Sequence, residues 1–544
     1  MSAKPTYETQ RIDHLGIVSG VCREIALIEQ VNAQVKAKER KVSCGCATQA
    51  FVLNALGFVG RAVYLMPDYL HNKPVDLLID PALTAGDFND DTLGRCLDDL
   101  YEAGVTEVFY QVAAHALQVY GLRPDFVHLD SSSFHLHGAY DPGEPEREAI
   151  SVTYGYSKDH RPDLKQVVMQ LITGHKSALP VWLEVLSGNS NDKKTFTASL
   201  KAYCEQLKAD PQPYLVMDSA GFSEDTVKEA QTQKVRWLMR VPETLGLAKK
   251  LVKETPQDEM KELEPGYWGK EVVCEYAGIA QRWLVVFSEA ARNRELKTLE
   301  KAQATELTSA QKDWRKLAEQ TFNCQEDAEA ALAQWNQKWK YHQVQAQFHP
   351  LLQFPHAGRP TTQDQKEVTG YLLQGEVQVN ETAIEAAKHA LGRFIIATND
   401  LDANRLSPQA MLENYKDQGV SVERGFRFLK DPMFFSHSLF LKKPERLMAL
   451  LMVMGLSLLI YSLAERKLRD ALREKKATVP DQRRKPTQTP TIRWVFQLFE
   501  GLDILLVRQN DQVILRQLLN LSPVQQQIIS LLGPVVQNCY LFGS

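Results

Sequence analysis

Two short, largely apolar runs in this chain each lead into an aspartate. Phe126-Val127-His128-Leu129 precedes Asp130, and Tyr214-Leu215-Val216-Met217 precedes Asp218. Such runs, bounded by turn residues, read as buried strands, and a buried strand that ends in a carboxylate delivers it to a sheet edge. A third acid, Glu423, follows 205 residues later, within Val422-Glu423-Arg424-Gly425-Phe426-Arg427-Phe428-Leu429-Lys430. Three carboxylates in one small volume repel one another unless cations hold them. Hard divalent ions with oxygen ligands are the usual solution, and in-line phosphoryl transfer is the usual chemistry. A single strand-end aspartate is more often a turn or cap residue, and Asp159, Asp163, Asp192, Asp400 and Asp431 compete for the role.

The surrounding pattern predicts an α/β fold. Strand-like runs cover 126–129, 166–172, 181–186, 214–217 and 235–240, and helical patterns over 194–207 and 223–232 separate the later ones. Turn residues at Gly174-His175-Lys176 and Gly188-Asn189-Ser190 bound the early strands. Three strands, then helix, strand, helix, strand is the order of an RNase H-like sheet. The interval between Asp218 and Glu423 is too long for a loop, so a folded insertion is expected. It opens with β-like pieces at 271–276 and 282–288. A charged helix follows, with Leu296, Leu299, Leu307, Ala310, Trp314 and Leu317 on one stripe that Gln303 interrupts. Strand-like 393–397 and a helix through Leu412 and Tyr415 lead back to the core.

The N-terminal part reads as helical. Ser19 is placed to cap a helix with Val21, Ile25, Ile28 and Val31 on one face; an apolar run over 47–59 follows a Cys44-Gly45-Cys46 turn; and Asn89 precedes Leu93, Cys96, Leu97 and Leu100. The expected division is a helical DNA-binding or dimerisation domain over 1–115, the first part of the core over 116–240, a β-rich and helical insertion over 241–390, the second part of the core over 391–470, and a basic linker with a small C-terminal segment over 471–544.

A net charge of −4 on 544 residues departs from the basic balance of many nucleic-acid binders. Phosphate contacts would then come from local stretches. Between Arg466 and Arg493 ten Lys or Arg stand against three Asp or Glu, broken by Pro480, Pro486 and Pro490; this is either a solvated linker or a phosphate-contacting strip. Eight scattered cysteines read as the reduced thiols of a cytosolic protein. Residues 1–12 lack the apolar stretch of a signal peptide. Leu447–Ala464 carries no charge over 18 residues, the lower limit for a membrane span. Basic residues flank both of its ends, so the asymmetry that orients a span is missing, and it reads as a helix buried on all sides.

On a helix, Glu423, Arg427 and Lys430 share one face, either as an ion-pair ladder or as a metal ligand beside phosphate contacts. Here the chain resembles the DDE transposases of the insertion-sequence-4 superfamily, in particular its 1634-like group. Those proteins carry Tyr-x2-Arg-x3-Glu-x6-Lys around the third acid. Tyr415, Glu423 and Lys430 match it, Gln418 stands at the arginine position, and the Tyr–Glu interval is one residue longer. Leu56-Gly57-Phe58-Val59, Asn89-Asp90-Asp91-Thr92-Leu93-Gly94-Arg95, the segment from Tyr154 to Gln166, and Lys443-Pro444-Glu445-Arg446 with the apolar helix extend the resemblance over nearly the whole chain.

The resemblance implies an RNase H-like catalytic core in which Asp130, Asp218 and Glu423 are catalytic and hold two Mg²⁺ ions, with Mn²⁺ able to substitute. It implies binding of terminal inverted repeats and of target DNA, synapsis by a homodimer with no membrane partner, and a bacterial or archaeal cytoplasmic setting. Tyr415, Arg424, Arg427, Lys430, His160 and Arg161 are the candidate DNA contacts, although His160-Arg161-Pro162 reads equally as a surface turn. Trp268 is either a packing residue or a platform for a flipped base. The alternatives in function are a metal-dependent nuclease that cuts without joining and a domesticated, non-catalytic DNA-binding protein.

Overall fold

The computed structural model describes residues 4–58, 63–137, 150–157, 161–175, 179–207, 212–354, 365–431, 441, 443–510 and 512–540. A nine-stranded sheet runs through its centre. Numbered in chain order, its strands are β1 (Phe126–Leu136), β2 (Lys165–Gly174), β3 (Pro180–Ser187), β4 (Tyr214–Met217), β5 (Trp237–Arg240), β6 (Lys261–Glu264), β7 (Tyr267–Tyr276), β8 (Ile279–Ser288) and β9 (Arg393–Thr398). In space they lie in the order β3-β2-β1-β4-β5-β9-β8-β7-β6.

The first five strands form the RNase H-like core. β1, β2 and β3 are an antiparallel meander; β4 runs parallel to β1, and β5 parallel to β4. Their sequences are nearly continuous apolar runs because both faces are covered; every residue of β4 is buried. Two helices separate the parallel strands, α1 (Asp192–Gln206) and α2 (Glu224–Thr232). Ser223 starts α2 by accepting the Thr226 N–H at 3.2 Å, which satisfies one of the otherwise orphaned first-turn donors.

The sheet does not stop at β5. β9 pairs antiparallel with β5 and with β8, and β7 and β6 follow by antiparallel pairing. The first strands of the inserted stretch are therefore an extension of the core sheet. Beyond them lies a second lobe, with α3 (Glu289–Ala318), α4 (Gln325–Lys338) and two two-stranded ribbons. Its own small core gathers Trp314, Trp335, Ala310, Ala328, Val344 and Leu373. Of the predicted α3 stripe, Leu299, Ala310 and Trp314 are buried, and the rest of this 30-residue helix is largely open to solvent.

α5 (Pro408–Leu429) carries the third acid and lies on one sheet face against β1, β2, β4 and β5. Ser407 caps it by accepting from Ala410 N at 3.2 Å, with Pro408 at the first helical position. α6 (Pro444–Glu474) contains the uncharged run. It is long and apolar enough to cross a membrane, but 89% of its most apolar window is buried inside the chain, as a core helix requires.

The two ends of the chain build one module around α6. Thr6–Arg11 pairs antiparallel with Asp503–Gln509, which pairs in turn with Gln512–Leu519. Helix Leu15–Glu24 packs on helix Pro534–Cys539; a Cβ at Gly20 would meet Val536 Cα at 2.8 Å. Three local expectations are corrected here. Ser19 is inside helix Leu15–Glu24 and caps nothing; its hydroxyl donates to Leu78 O at 2.7 Å. The expected single apolar face breaks where Ala26 takes a left-handed φ of 47° and a new helix begins at Leu27. Cys44-Gly45-Cys46 is the first turn of helix Cys44–Leu56, capped by Ser43. The helix expected after Asn89 is present, and Asn89 caps it by accepting from Thr92 N at 3.0 Å. The cysteines are all free thiols.

Candidate active site

Asp130 is the fifth residue of β1 and does not end it. β1 continues to Leu136 because β2 stays paired with it that far, and Ser131–Ser133 are buried in the ladder. What ends at Asp130 is the other partner: β4 pairs with β1 only from Phe126↔Tyr214 to Leu129↔Met217. Asp130 and Asp218 are the next residues in that parallel register, on strands about 4.8 Å apart. Leu129 and Met217 face the same core. Side-chain alternation turns Asp130 to the opposite face, where Val216 packs with residues of α5.

Each carboxylate takes one local backbone donor. Asp130 Oδ1 accepts from Ser131 N at 2.7 Å, and Asp218 Oδ1 from Ala220 N at 2.9 Å. Both aspartates are half-buried. Ser131–Ser133 and Ala220 line an open cleft of about 380 Å³ with Asn189 and Asn191. One wall is the segment around Gly155, which lies so close to Gly188 that a Cβ on Gly155 would stand 1.9 Å from Gly188 O. Tyr156, also on this wall, is 86% exposed.

α5 crosses β1 diagonally. Asp417 meets His128, with Asp417 Oδ2 and His128 Nε2 at 3.4 Å, and further along Phe426 meets Phe134 at 6.4 Å between ring centroids. Asp130 lies between these two points on β1, and Glu423 lies between them on α5. Glu423 is exposed. A Cβ on Gly419, one turn earlier, would come within 3.8 Å of its carboxylate, so the glycine keeps space open on that side.

Tyr415, also on α5, is held against β9 by Phe394 at 6.0 Å. Burial raises its hydroxyl pKa; the hydrogen-bonded Arg240 guanidinium opposes this, and Asp218 is near enough to add to the rise. Arg240 thus stands with Asp218 and Tyr415, a neighbour that sequence reading missed. Its signal was a cation ending the strand that follows the second acid. Arg240 also donates to Glu243 at 2.7 Å and stacks over Phe394 at 5.3 Å.

The remaining candidates divide. Arg424 pairs with the buried Glu465 of α6. Arg427 is exposed. Lys430 is the C-cap of α5, its ammonium 5.6 Å above the Phe134 ring. Arg161 forks onto Asp163 at 2.7 and 2.8 Å, and its backbone N–H donates to Ser157, which is the turn its sequence allowed. His160 lies outside the described residues. Among the competing acids, Asp400 accepts from the Tyr214 hydroxyl and Asp431 pairs with Arg493 at 2.8 Å. Trp268 packs against Phe287 at 5.8 Å. The basic strip is split: Arg466, Lys467, Arg469, Arg473 and Arg493 are in ion pairs. Arg483, Arg484 and Lys485 sit exposed at the tip of a short hairpin, which Asp481 closes by accepting from the backbone of Arg483 and Lys485.

An RNase H-like core with two aspartates at the point where its parallel strands part defines the class of this protein. The family model described as "Transposase DDE domain" matches residues 122–461, more than half of the chain, and the chain belongs to that family. A second model, described as "Domain of unknown function (DUF4277)", matches residues 7–114. No curated protein matches. Among solved structures, the piggyBac transposase in a synaptic complex with hairpin DNA is similar at 10% identity and a TM-score of 0.38, covering 91% of this chain and 82% of that one, a likeness too loose to bear on mechanism.

Proposed function

We propose that this protein is the transposase of an insertion sequence of the 1634-like group, which cleaves the ends of its element and joins them to target DNA. The observation that carries the reading is the adjacency of Asp130 and Asp218 in the β1–β4 register, within a chain of the DDE transposase family. Glu423 is the third acid of the set. Three carboxylates offer only hard oxygen donors, which fits Mg²⁺ or Mn²⁺ and not a thiophilic metal. Asp130, Asp218 and Glu423 would hold two such ions. When bound, the ions supply activation of the attacking hydroxyl and charge stabilisation on the leaving 3′-oxygen.

The chain's own groups supply the rest. The serine- and asparagine-lined cleft beside Asp130 receives the scissile strand, and exposed Tyr156 offers a stacking face at its wall. Tyr415, oriented by Arg240, positions Asp218. Arg427, Lys430 and the Arg483–Lys485 hairpin take DNA phosphates; His160 and, after exchanging Asp163 for phosphate, Arg161 add to them. In the first step water attacks the phosphodiester at the element's end and the 3′-oxygen leaves as a hydroxyl. In the second, that hydroxyl attacks a target phosphodiester and displaces a target 3′-oxygen. Bond count is conserved in the second step, so no energy source is needed. Two ends are joined together, which calls for two copies of the chain.

The test is cleavage of a labelled element end with flanking DNA in Mg²⁺, wild type against Asp218→Ala, followed by incubation of pre-cleaved ends with a target plasmid. Cleavage and joining that both vanish in the variant support the reading. Cleavage without joined product would make the protein a nuclease, and unchanged cleavage by Asp218→Ala would remove Asp218 from the site.

A further inference from the structure

On the α5 side of the sheet, two residues before Asp130, lies a second cluster of ligating side chains. His128 faces α5 from β1. It pairs in register with Thr173, and His175 follows just past the end of β2, its N–H donating to Phe126 O at 3.0 Å. The two imidazoles are therefore diagonal cross-strand neighbours on one face, with ring centroids 5.8 Å apart. Asp417 comes down from α5. Its Oδ2 is 2.9 Å from His175 Nδ1 and 3.4 Å from His128 Nε2. The three ligand atoms all lie within 4.8 Å of one another.

Hydrogen bonding does not account for this arrangement. His128 is completely buried, and neither of its ring nitrogens has a hydrogen-bond partner among the described residues. His175 Nδ1 also lacks one, because its close approach to Asp417 has the wrong direction for a hydrogen bond. A buried imidazole nitrogen without a hydrogen bond is costly, and here nitrogens of buried His128 and of the less buried His175 both lie near one carboxylate oxygen.

We propose that His128, His175 and Asp417 form a transition-metal site of the zinc type that fastens α5 to β1 and β2. Ligand atoms about 2.0–2.2 Å from Zn²⁺ in tetrahedral geometry stand roughly 3.3–3.5 Å apart. The 3.4 Å separation from His128 is of that size, the 2.9 Å separation from His175 is a few tenths of an ångström short of it, and small ring rotations bring the three edges to it. Two imidazoles and one carboxylate leave a fourth position for water, and His175 borders an open cleft of about 400 Å³ from which water and metal can enter. Imidazole nitrogen selects zinc-like ions over Mg²⁺, which takes oxygen. Its ligands come from β1, the end of β2 and α5, so a bound ion would fix the height of α5 over the sheet, about 1.7 turns before Glu423. Its existence does not depend on the roles assigned to the three acids.

The experiment uses the full chain, stripped with a chelator and returned to Zn²⁺ or Co²⁺ in excess Mg²⁺. The expected result is one tightly held equivalent of Zn²⁺ that Mg²⁺ does not displace, together with visible Co²⁺ absorption bands of a four-coordinate site. His175→Ala and Asp417→Asn should each weaken Zn²⁺ binding about 100-fold or more, since loss even of a group behind a ligand costs 10–100-fold. Asp218→Ala should leave Zn²⁺ affinity unchanged. His175 is the residue of choice because its side chain is 16% exposed, whereas replacing fully buried His128 risks the fold. X-ray absorption at the zinc edge of the wild type gives an independent answer, with two imidazoles and oxygen expected. No retained equivalent, affinity indifferent to both variants, or sulfur in the zinc shell would each overturn the proposal.

Discussion

The cleft beside Asp130 and the terminal module around α6 treat polar groups in opposite ways. Beside the cleft, Asp130 and Asp218 each accept from a local backbone N–H and are half-buried, next to residues that line it. In the terminal module several buried or half-buried side chains are met by the chain itself, although His14 Nδ1 and Gln10 Oε1 have no hydrogen-bond partner among the described residues. His14, 4% exposed, donates its Nε2–H to Leu56 O at 2.7 Å and stacks on Phe496 at 4.3 Å. Arg23 reaches Leu77 O, and Lys467 of α6 pairs with Glu24. The lesson is a division of labour under the proposed function: the cleft is open to a partner from solution, and most polar groups of the module hold its shape. Substitutions in the first should therefore alter reaction and spare stability, and substitutions in the second should do the reverse.

The largest effect is expected from Asp218→Ala. Loss of one acid of the trio should lower cleavage by about 10³-fold or more, equivalent to roughly 4 kcal/mol. The melting temperature should not fall, because two neighbouring like charges become one. A melting temperature several degrees lower would break the contrast by making Asp218 structural. Next is the pH dependence of the module. Burial pushes the His14 imidazole down to about 4 from 6.5. The unfolded chain binds that proton below about 6.5 and the folded one only near 4. The contribution is therefore complete above about pH 6.5 and is lost as pH falls toward 4, amounting to about 3 kcal/mol at 1.36 kcal/mol per unit. Urea titrations at several pH values, wild type against His14→Gln, should show that slope flattened in the variant; parallel slopes would mean His14 is not the group responsible.

A smaller loss, about 1–3 kcal/mol, is expected from Gly45→Ala. The added Cβ would stand 2.3 Å from Ile28 O, backbone that cannot step aside cheaply. The specific activity of the folded fraction should be unaltered, which separates this variant cleanly from Asp218→Ala. The mildest test concerns Arg483, Arg484 and Lys485, exchanged together for alanine. If they touch phosphates, binding to end DNA and to random DNA should weaken alike, and the log–log salt dependence should flatten by about one unit for each phosphate no longer neutralised. An unchanged slope would return the hairpin to the status of a solvated surface, and a loss confined to end DNA would point to base readout.

Much of the core is legible in the sequence because buried parallel strands leave a strong mark. The run 214–217 is β4 to the residue, and 223–232 is α2 with its cap. What local patterning does not show is pairing. Asp130 reads as a strand end, but β2 carries β1 on through three buried serines, which look like a turn in one dimension and have ladder partners in three. Asp417 reads as one more charge on a helix, and His128 and His175 sit 47 positions apart with no metal-ligand spacing between them. Their meeting depends on the β1–β2 register and on where α5 crosses it. The 466–493 strip shows the same limit. Its net basicity is visible, but the carboxylates that absorb half of it come from Glu24, Asp431 and Glu465 as well as from within the strip.

The pairing of Thr6–Arg11 with Asp503–Gln509 has a consequence for how this protein comes into being. During synthesis the first strand and the helix behind it must wait for nearly 500 residues before their partners leave the ribosome. Chains are made at about 5–20 residues per second, so the delay lasts roughly half a minute or more. Through that interval the RNase H-like sheet is able to fold while the module around α6 remains unfinished, its apolar surfaces uncovered. A chain cut short between Glu423 and Asp503 would carry Asp130, Asp218 and Glu423 but would leave the strand Thr6–Arg11 without its pairing partner.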